Sequence, residues 1–257
     1  MIKLVYVIVR REEMSPEAFR DYWLRRHGPL VAAQARALRL RRYVQSHPFD
    51  DPASEAMRAA RGMAPPVDGV TEVWWESLDD FSAAYATPEG AEAGRILAED
   101  EAKFIDFARS CVFLTEEHLI FDRTDGRGPG PDAVKATYLL ARREGLTQAE
   151  CHRTWLQDHG PLVASFAEVL RMAKYVQSHA IAPEINAGFQ SARNFQPPLD
   201  GITEVWVNSM DDLAAGGATE AGRAASAALV EDERRFVQMD RSRLFLTREH
   251  LIFDHTG

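Results

Sequence analysis

The chain has 257 residues, 46% hydrophobic and 27% charged, a balance that fits a folded protein with core enough for each half and excludes a disordered one. Its net charge of −9 comes with lysines and arginines scattered among acids, which excludes the basic footprint of a nucleic-acid binder. No apolar run approaches the length needed to span a bilayer, so neither nucleic acid nor membrane is expected as a partner.

The opening "IKLVYVIVRR" is rich in β-branched and aromatic residues and reads as a first strand. Its apolar part is brief, runs straight into charges and lacks a small-residue cleavage site, so no signal peptide is expected. Ser15 then offers an N-cap with Pro16 at the first helical position. This helix carries Phe19 and Trp23 one turn apart, and Gly28 and Pro29 of "HGP" are expected to stop it. A short helical piece near residues 30–38 leads into the strand "RRYVQSH". The stretch 49–64, ending in "PP", reads as a long loop of the kind that forms lids or binding loops. "GVTEVWWES" is the next strand, Ser77 with Asp80 opens helical segments through "EAGRILAEDEAKFIDFA", and "CVFLTEEHLIF" closes the set. The order is β-α-β-β-α-β.

The same order then starts again at a constant offset of 132: Lys3 matches Lys135, Tyr43 matches Tyr175 and Glu72 matches Glu204. A repeat of that length suits a small domain rather than a solenoid unit. Residues 1–122 and 133–257 are therefore expected as two copies of one domain, joined by a Gly- and Pro-rich linker at 123–132. The second copy has its own long loop at 181–196, different in sequence from 49–64. Cys111 and Cys151 fall opposite Arg243 and Phe19, so no shared disulfide or thiolate metal site is expected, and the reducing cytoplasm is the expected location.

One such unit leaves one sheet face bare, and two copies can cover each other. The expected fold class is α+β: two ferredoxin-like βαββαβ units forming an intramolecular dimeric α+β barrel with two-fold character. A homodimer of the fused chain is compatible with this arrangement.

The combination of "YWLRRHGPLV", "RYVQSH", "DGVTEVWW" and "EEHLIFD" resembles the EthD-like proteins of the dimeric α+β barrel superfamily, across both halves. That resemblance implies the barrel fold and a range of reactions: relatives include isomerases, polyketide cyclases, dehydratases, cofactor-free monooxygenases and haem proteins. It implies the reaction far less narrowly than the fold.

Candidate site residues follow from the two matched stretches "HGPLVAAQARALRLRRYVQSH" and "HGPLVASFAEVLRMAKYVQSH". Tyr43, Gln45 and His47 share one strand face, as do Glu72 and Trp74. If those faces meet beneath the first helix, His27, His47 and Glu72 become the acid–base groups, with Trp23, Tyr43 and Trp74 as walls for a flat substrate. In the second copy His159, His179 and Glu204 are the matching acid–base groups, and Trp155, Tyr175 and Trp206 the matching walls. Histidine titrates near neutrality and can move protons for dehydration, cyclisation or isomerisation without a cofactor. The expected function is thus a cofactor-independent lyase or isomerase for a small aromatic, lactone or polyketide-like substrate. The alternatives are a cofactor-free monooxygenase, a haem- or metal-binding module using His27, His47 and Glu72, and a non-catalytic ligand carrier. His118 and His250 read as structural, and the acidic runs "AEDEAKF" and "VEDERRF" as solvated helix faces without chemistry.

Overall fold

In the computed structural model, which describes residues 1–256, the first half runs β1 (Ile2–Ile8), α1 (Pro16–Tyr22), α2 (Gly28–Gln34), β2 (Arg42–Pro48), α3 (Pro52–Arg61), β3 (Gly69–Trp75), α4 (Leu78–Tyr85), α5 (Pro88–Glu101) and β4 (Cys111–Asp122). The second half repeats it as β5 (Val134–Leu140), α6 (Gln148–Thr154), α7 (Gly160–Phe166), β6 (Met172–Ala180), α8 (Pro183–Arg193), β7 (Gly201–Val207), α9 (Met210–Ala218), α10 (Glu220–Glu233) and β8 (Arg243–Asp254). The Gly- and Pro-rich segment between β4 and β5 contains no helix or strand.

All eight strands close into one antiparallel barrel in the order β1-β3-β2-β8-β5-β7-β6-β4. The last strand of each half supplies the closure: β4 pairs with β1 and then with β6, and β8 pairs with β5 and then with β2. Each "EHLIF" segment thus pairs across the halves, on the other half's second strand. Closure removes every sheet edge and gives each half's bare face the other half as its cover. Among the described residues, no helix is long and apolar enough to cross a membrane.

Two expectations are corrected here. The first helix does not stop at "HGP": a π-helical turn over Trp23–His27 carries the chain directly into α2. Pro29 lacks an N–H, and a widened turn lets the Gly28 N–H reach Trp23 O five residues back instead of breaking the helix. The stretches 49–64 and 181–196 are not loops but contain α3 and α8, each started by a proline in the first turn. These helices cross over: α3 lies against β8 of the second half and α8 against β4 of the first. Asn186 anchors α8 by accepting the Leu114 N–H at 2.9 Å, and Ser54 anchors α3 by accepting the Leu246 N–H at 3.2 Å.

The packing of the π-helical turn explains one glycine. A Cβ at Gly69 would stand 2.4 Å from the Trp23 ring, so only glycine lets the buried indole lie flat on β3.

Candidate active site

The π turn decides where the first histidine goes. It places His27 against α5, with Nδ1 2.9 Å from the Asp100 carboxylate and the ring 5.0 Å from Phe104. Asp100 also accepts the Tyr22 hydroxyl at 2.6 Å and the Lys103 ammonium at 3.0 Å. The His27 bond, aided by these two, holds the Asp100 carboxyl well below the usual carboxylate range. An ionised carboxylate only accepts, so Nδ1 donates this bond and Nε2 is left outside it. The second half repeats the pair: His159 Nδ1 lies 2.9 Å from Asp232, which is likewise held low by that bond and by Arg235. Neither Nε2 bonds another protein group among the described residues.

Both histidines border a cavity between the outer face of the barrel and the helices. The first-half cavity measures about 230 Å³ and the second-half cavity about 570 Å³. Each is roofed by the helix that crosses over. Arg193 of α8 pairs with Glu101 in the first, and Arg61 of α3 grips Glu233 in the second through two bonds of 2.7 and 2.9 Å. Tyr6 and Tyr138 reach into the same spaces. Burial pushes both phenols well above their ordinary pKa, so they stay protonated and able to donate. Among the described residues the Tyr6 hydroxyl is buried without a hydrogen-bond partner, and that of Tyr138 donates to the Met239 sulfur at 3.8 Å.

The residues named from sequence do not all converge. His27 and Tyr43 border the first cavity, and His159 and Tyr175 the second. The strand register moves the rest away. Tyr43 faces Val73 and Gln45 faces Thr71, whereas Glu72 pairs with Val44; successive side chains alternate, so Glu72 and Trp74 point into the barrel. Glu204 and Trp206 do the same in the second half. The expected meeting of Glu72 with His27, and of Glu204 with His159, is corrected accordingly.

His47 is on the outer face but outside the cavity, stacked on Trp23 with ring centroids 4.4 Å apart and bonded to Gln45. Gln45 in turn donates to Trp23 O and to the Tyr43 hydroxyl, and Gln177 repeats this with Trp155 and Tyr175. Burial, with His250 and Arg20 nearby, pushes His47 down to about 3, and burial with His152 and His118 takes His179 to about 2. These imidazoles stay neutral and act as packing groups. Trp23 and Trp155 are fully buried beneath them, and they too fall outside the cavities.

Inside the barrel, Glu72 and Glu204 share two lysines. Lys135 lies 2.6 Å from Glu72, 2.8 Å from Glu204 and 2.9 Å from Glu249; Lys3 contacts Glu204, Glu72 and, at 3.0 Å, Glu117. Burial and the neighbouring Glu204 push Glu72 up to about 7. Although burial opposes it, the glutamates hold Lys3 above its ordinary value. Trp74 and Trp206 donate their indole N–H groups to Glu117 and Glu249 at 2.9 Å. Carboxylate oxygens of Glu72, Glu204 and Glu249 come within 4.8 Å of one another, but the two ammonium groups already fill the role of a cation. His27, His47 and Glu72 occupy three separate environments, which corrects the arrangement required of them as a common ligand set.

Sequence reasoning missed Asp100, Glu101, Asp232 and Glu233, which lie in the runs taken as solvated. A signal was present: Gly90, Ala93, Leu97 and Asp100 are spaced as one helical face, so Asp100 sits in an apolar stripe. Tyr6 and Tyr138 match at the common offset. Nothing local could reveal Arg61 and Arg193, because each serves the opposite half.

A comparison with curated proteins finds no match. Among solved structures, the chain is similar to an anthrone oxidase-like protein at 13% identity and a TM-score of 0.56, covering 100% of this chain and 95% of that one. It is also similar to a candidate monooxygenase from Fusobacterium nucleatum subsp. nucleatum, at 4% identity and a TM-score of 0.51, covering 100% and 94%. At these identities the likeness shows the α+β barrel fold. The EthD domain is matched twice, over residues 11–108 and 143–240, and the chain therefore belongs to the EthD domain family as a tandem member.

Proposed function

We propose that the chain is a cofactor-independent acid–base enzyme, a lyase or isomerase that withdraws and returns a proton on a small planar aromatic, lactone or polyketide-like compound. The observation that carries this reading is the 2.9 Å histidine–aspartate pair, present in both halves with the free Nε2 beside a cavity. The aspartate fixes the tautomer and steadies the imidazolium once Nε2 has taken a proton from carbon. The electron pair left on carbon moves onto the substrate carbonyl, and the protonated Tyr6 or Tyr138, which lines the same cavity, donates to that oxygen. Return of the proton elsewhere completes an isomerisation, and loss of a neighbouring hydroxide completes a dehydration.

The strand orders β4-β1-β3-β2 and β8-β5-β7-β6 fit a ferredoxin-like unit in each half. The reading is of two such units, 1–122 and 133–257, with 123–132 as linker and one pair in each.

A second reading has a specific basis in the two similar structures. The same carbanion, formed by the same base, can be oxidised by O2 as in a cofactor-free monooxygenase. Anthrone, whose ring C–H is acidified by a carbonyl across the ring, tests the step common to both. The protein should accelerate deuterium uptake at that carbon, and His27→Ala with His159→Ala should slow it by about 10²–10⁴ with an unchanged melting temperature. Unaltered exchange in the double variant removes both readings; O2 uptake with exchange selects the monooxygenase.

A further inference from the structure

We infer that the second-half cavity is the ligand site, and that it selects a multi-ring ligand bearing one anionic group, which rests on Arg223. The inference deepens the proposed function by naming a substrate class, and rests on it in taking this cavity as the substrate site.

Size comes first. Cavities that hold small organic ligands typically measure roughly 300–1,000 Å³. The second cavity, about 570 Å³, lies in that range and the first, about 230 Å³, does not. The difference has identifiable causes at matched positions. Trp75 in the first half corresponds to Val207, Tyr85 to Gly217 and Leu4 to Ala136. The crossing helices add to it, because Phe189 of α8 roofs the first cavity where Met57 of α3 roofs the second. The first half has filled its own space with rings; the second has left room for rings from outside.

Charge comes next. Of the groups lining the second cavity, Arg61 is matched with Glu233, and the His159 N–H is taken by Asp232, which also pairs with Arg235. Arg223 lines the same cavity, is exposed, and pairs with no carboxylate among the described residues; its guanidinium donates only to the Ala218 carbonyl. The matched residue in the first half is Ala91, and the neighbouring Arg95 is held by Glu92 and Glu99. The second cavity therefore offers an apolar interior of Val, Leu, Met and Ala side chains with one uncommitted cation. A flat ring system buries its area against the first while a carboxylate or enolate outside the rings takes the second.

Anthracene-2-carboxylate and the neutral 2-(hydroxymethyl)anthracene, followed by their own fluorescence, test this on the intact chain. The carboxylate should saturate a single site per chain. Arg223→Ala should weaken the carboxylate by about tenfold or more and leave the neutral compound nearly unaffected. Val207→Trp with Gly217→Tyr should abolish binding of both; a Cβ at Gly217 meets nothing within 4 Å, and a melting curve checks the fold. Two equal sites per chain, no binding by the unaltered protein, or equal response of both compounds to Arg223→Ala overturns the inference. His159→Ala separates it from the proposed function: binding kept while the unaltered protein shows no proton exchange leaves this inference standing and removes the catalytic one.

Discussion

The two outer cavities carry the same histidine–aspartate pair at the same 2.9 Å, yet one measures about 230 Å³ and the other about 570 Å³; in the charged centre of the barrel between them, Lys3, Glu72 and Glu117 are matched by Lys135, Glu204 and Glu249. Contact explains the contrast. In the interior, Lys3 and Lys135 each touch both Glu72 and Glu204, so a change in one half alters the surroundings of its mate in the other. Each outer cavity meets the opposite half mainly through one crossing helix, and its walls can change without disturbing the other cavity. A duplicated fold thus keeps its shared centre symmetrical while its separate sites are free to differ.

The largest expected effect distinguishes the cavities by chemistry. If the second is the working site, His159→Ala should reduce turnover of a multi-ring substrate by about 10²–10⁴, and His27→Ala far less. Equal losses in steady-state rate would make the cavities equivalent in use despite their walls.

The shared centre should behave in the opposite way. Lys135→Met and Lys3→Met each leave two buried carboxylates with one lysine, and each should cost about 3–5 kcal/mol by urea denaturation. A large inequality between them would break the proposed equivalence of the interior.

The crossing helices lie between these limits. Arg61 is 11% exposed and grips a Glu233 that is 5% exposed, whereas Arg193 is 31% exposed. Arg61→Met should therefore cost about 3 kcal/mol, and Arg193→Met about 1 kcal/mol or less, in the same denaturation experiment. Reversal of that order would show that burial does not govern the two roofs.

The remaining effect is one of pH. His47 and His179 are depressed to about 3 and about 2, while in the unfolded chain an imidazole titrates near about 6.5. The unfolded chain takes up these protons first, so the stability they contribute is complete above about pH 6.5. It falls away as pH drops toward the folded values, by about 1.4 kcal/mol per pH unit for each histidine. His179→Phe should remove about half of that slope in urea midpoints measured from about pH 6.5 down to about pH 4. An unchanged slope would mean that these rings charge in the folded state.

Much of the arrangement was legible in the chain itself. The constant offset, the alternating strands and the Ser15 and Thr147 caps predict the element order, and the structure contains it. His27 and Tyr43 were legible as cavity residues because a helix end and a strand face place them locally. Glu72 was misplaced because alternation says which residues share a face, and only the pairing of Tyr43 with Val73 says which faces coincide. Asp100 was overlooked because an acidic run resembles a solvated face until its apolar stripe is packed against His27.

Local spacing and propensity, which act over a few residues, determined the duplicated strands and helices, their caps and the histidine at each "HGP". The tertiary structure alone decided that α3 and α8 exchange halves, that the glutamates meet lysines at the centre, and that the two cavities differ in size. Those outcomes depend on contacts between residues 63 to 201 positions apart, whose pairing no local pattern encodes.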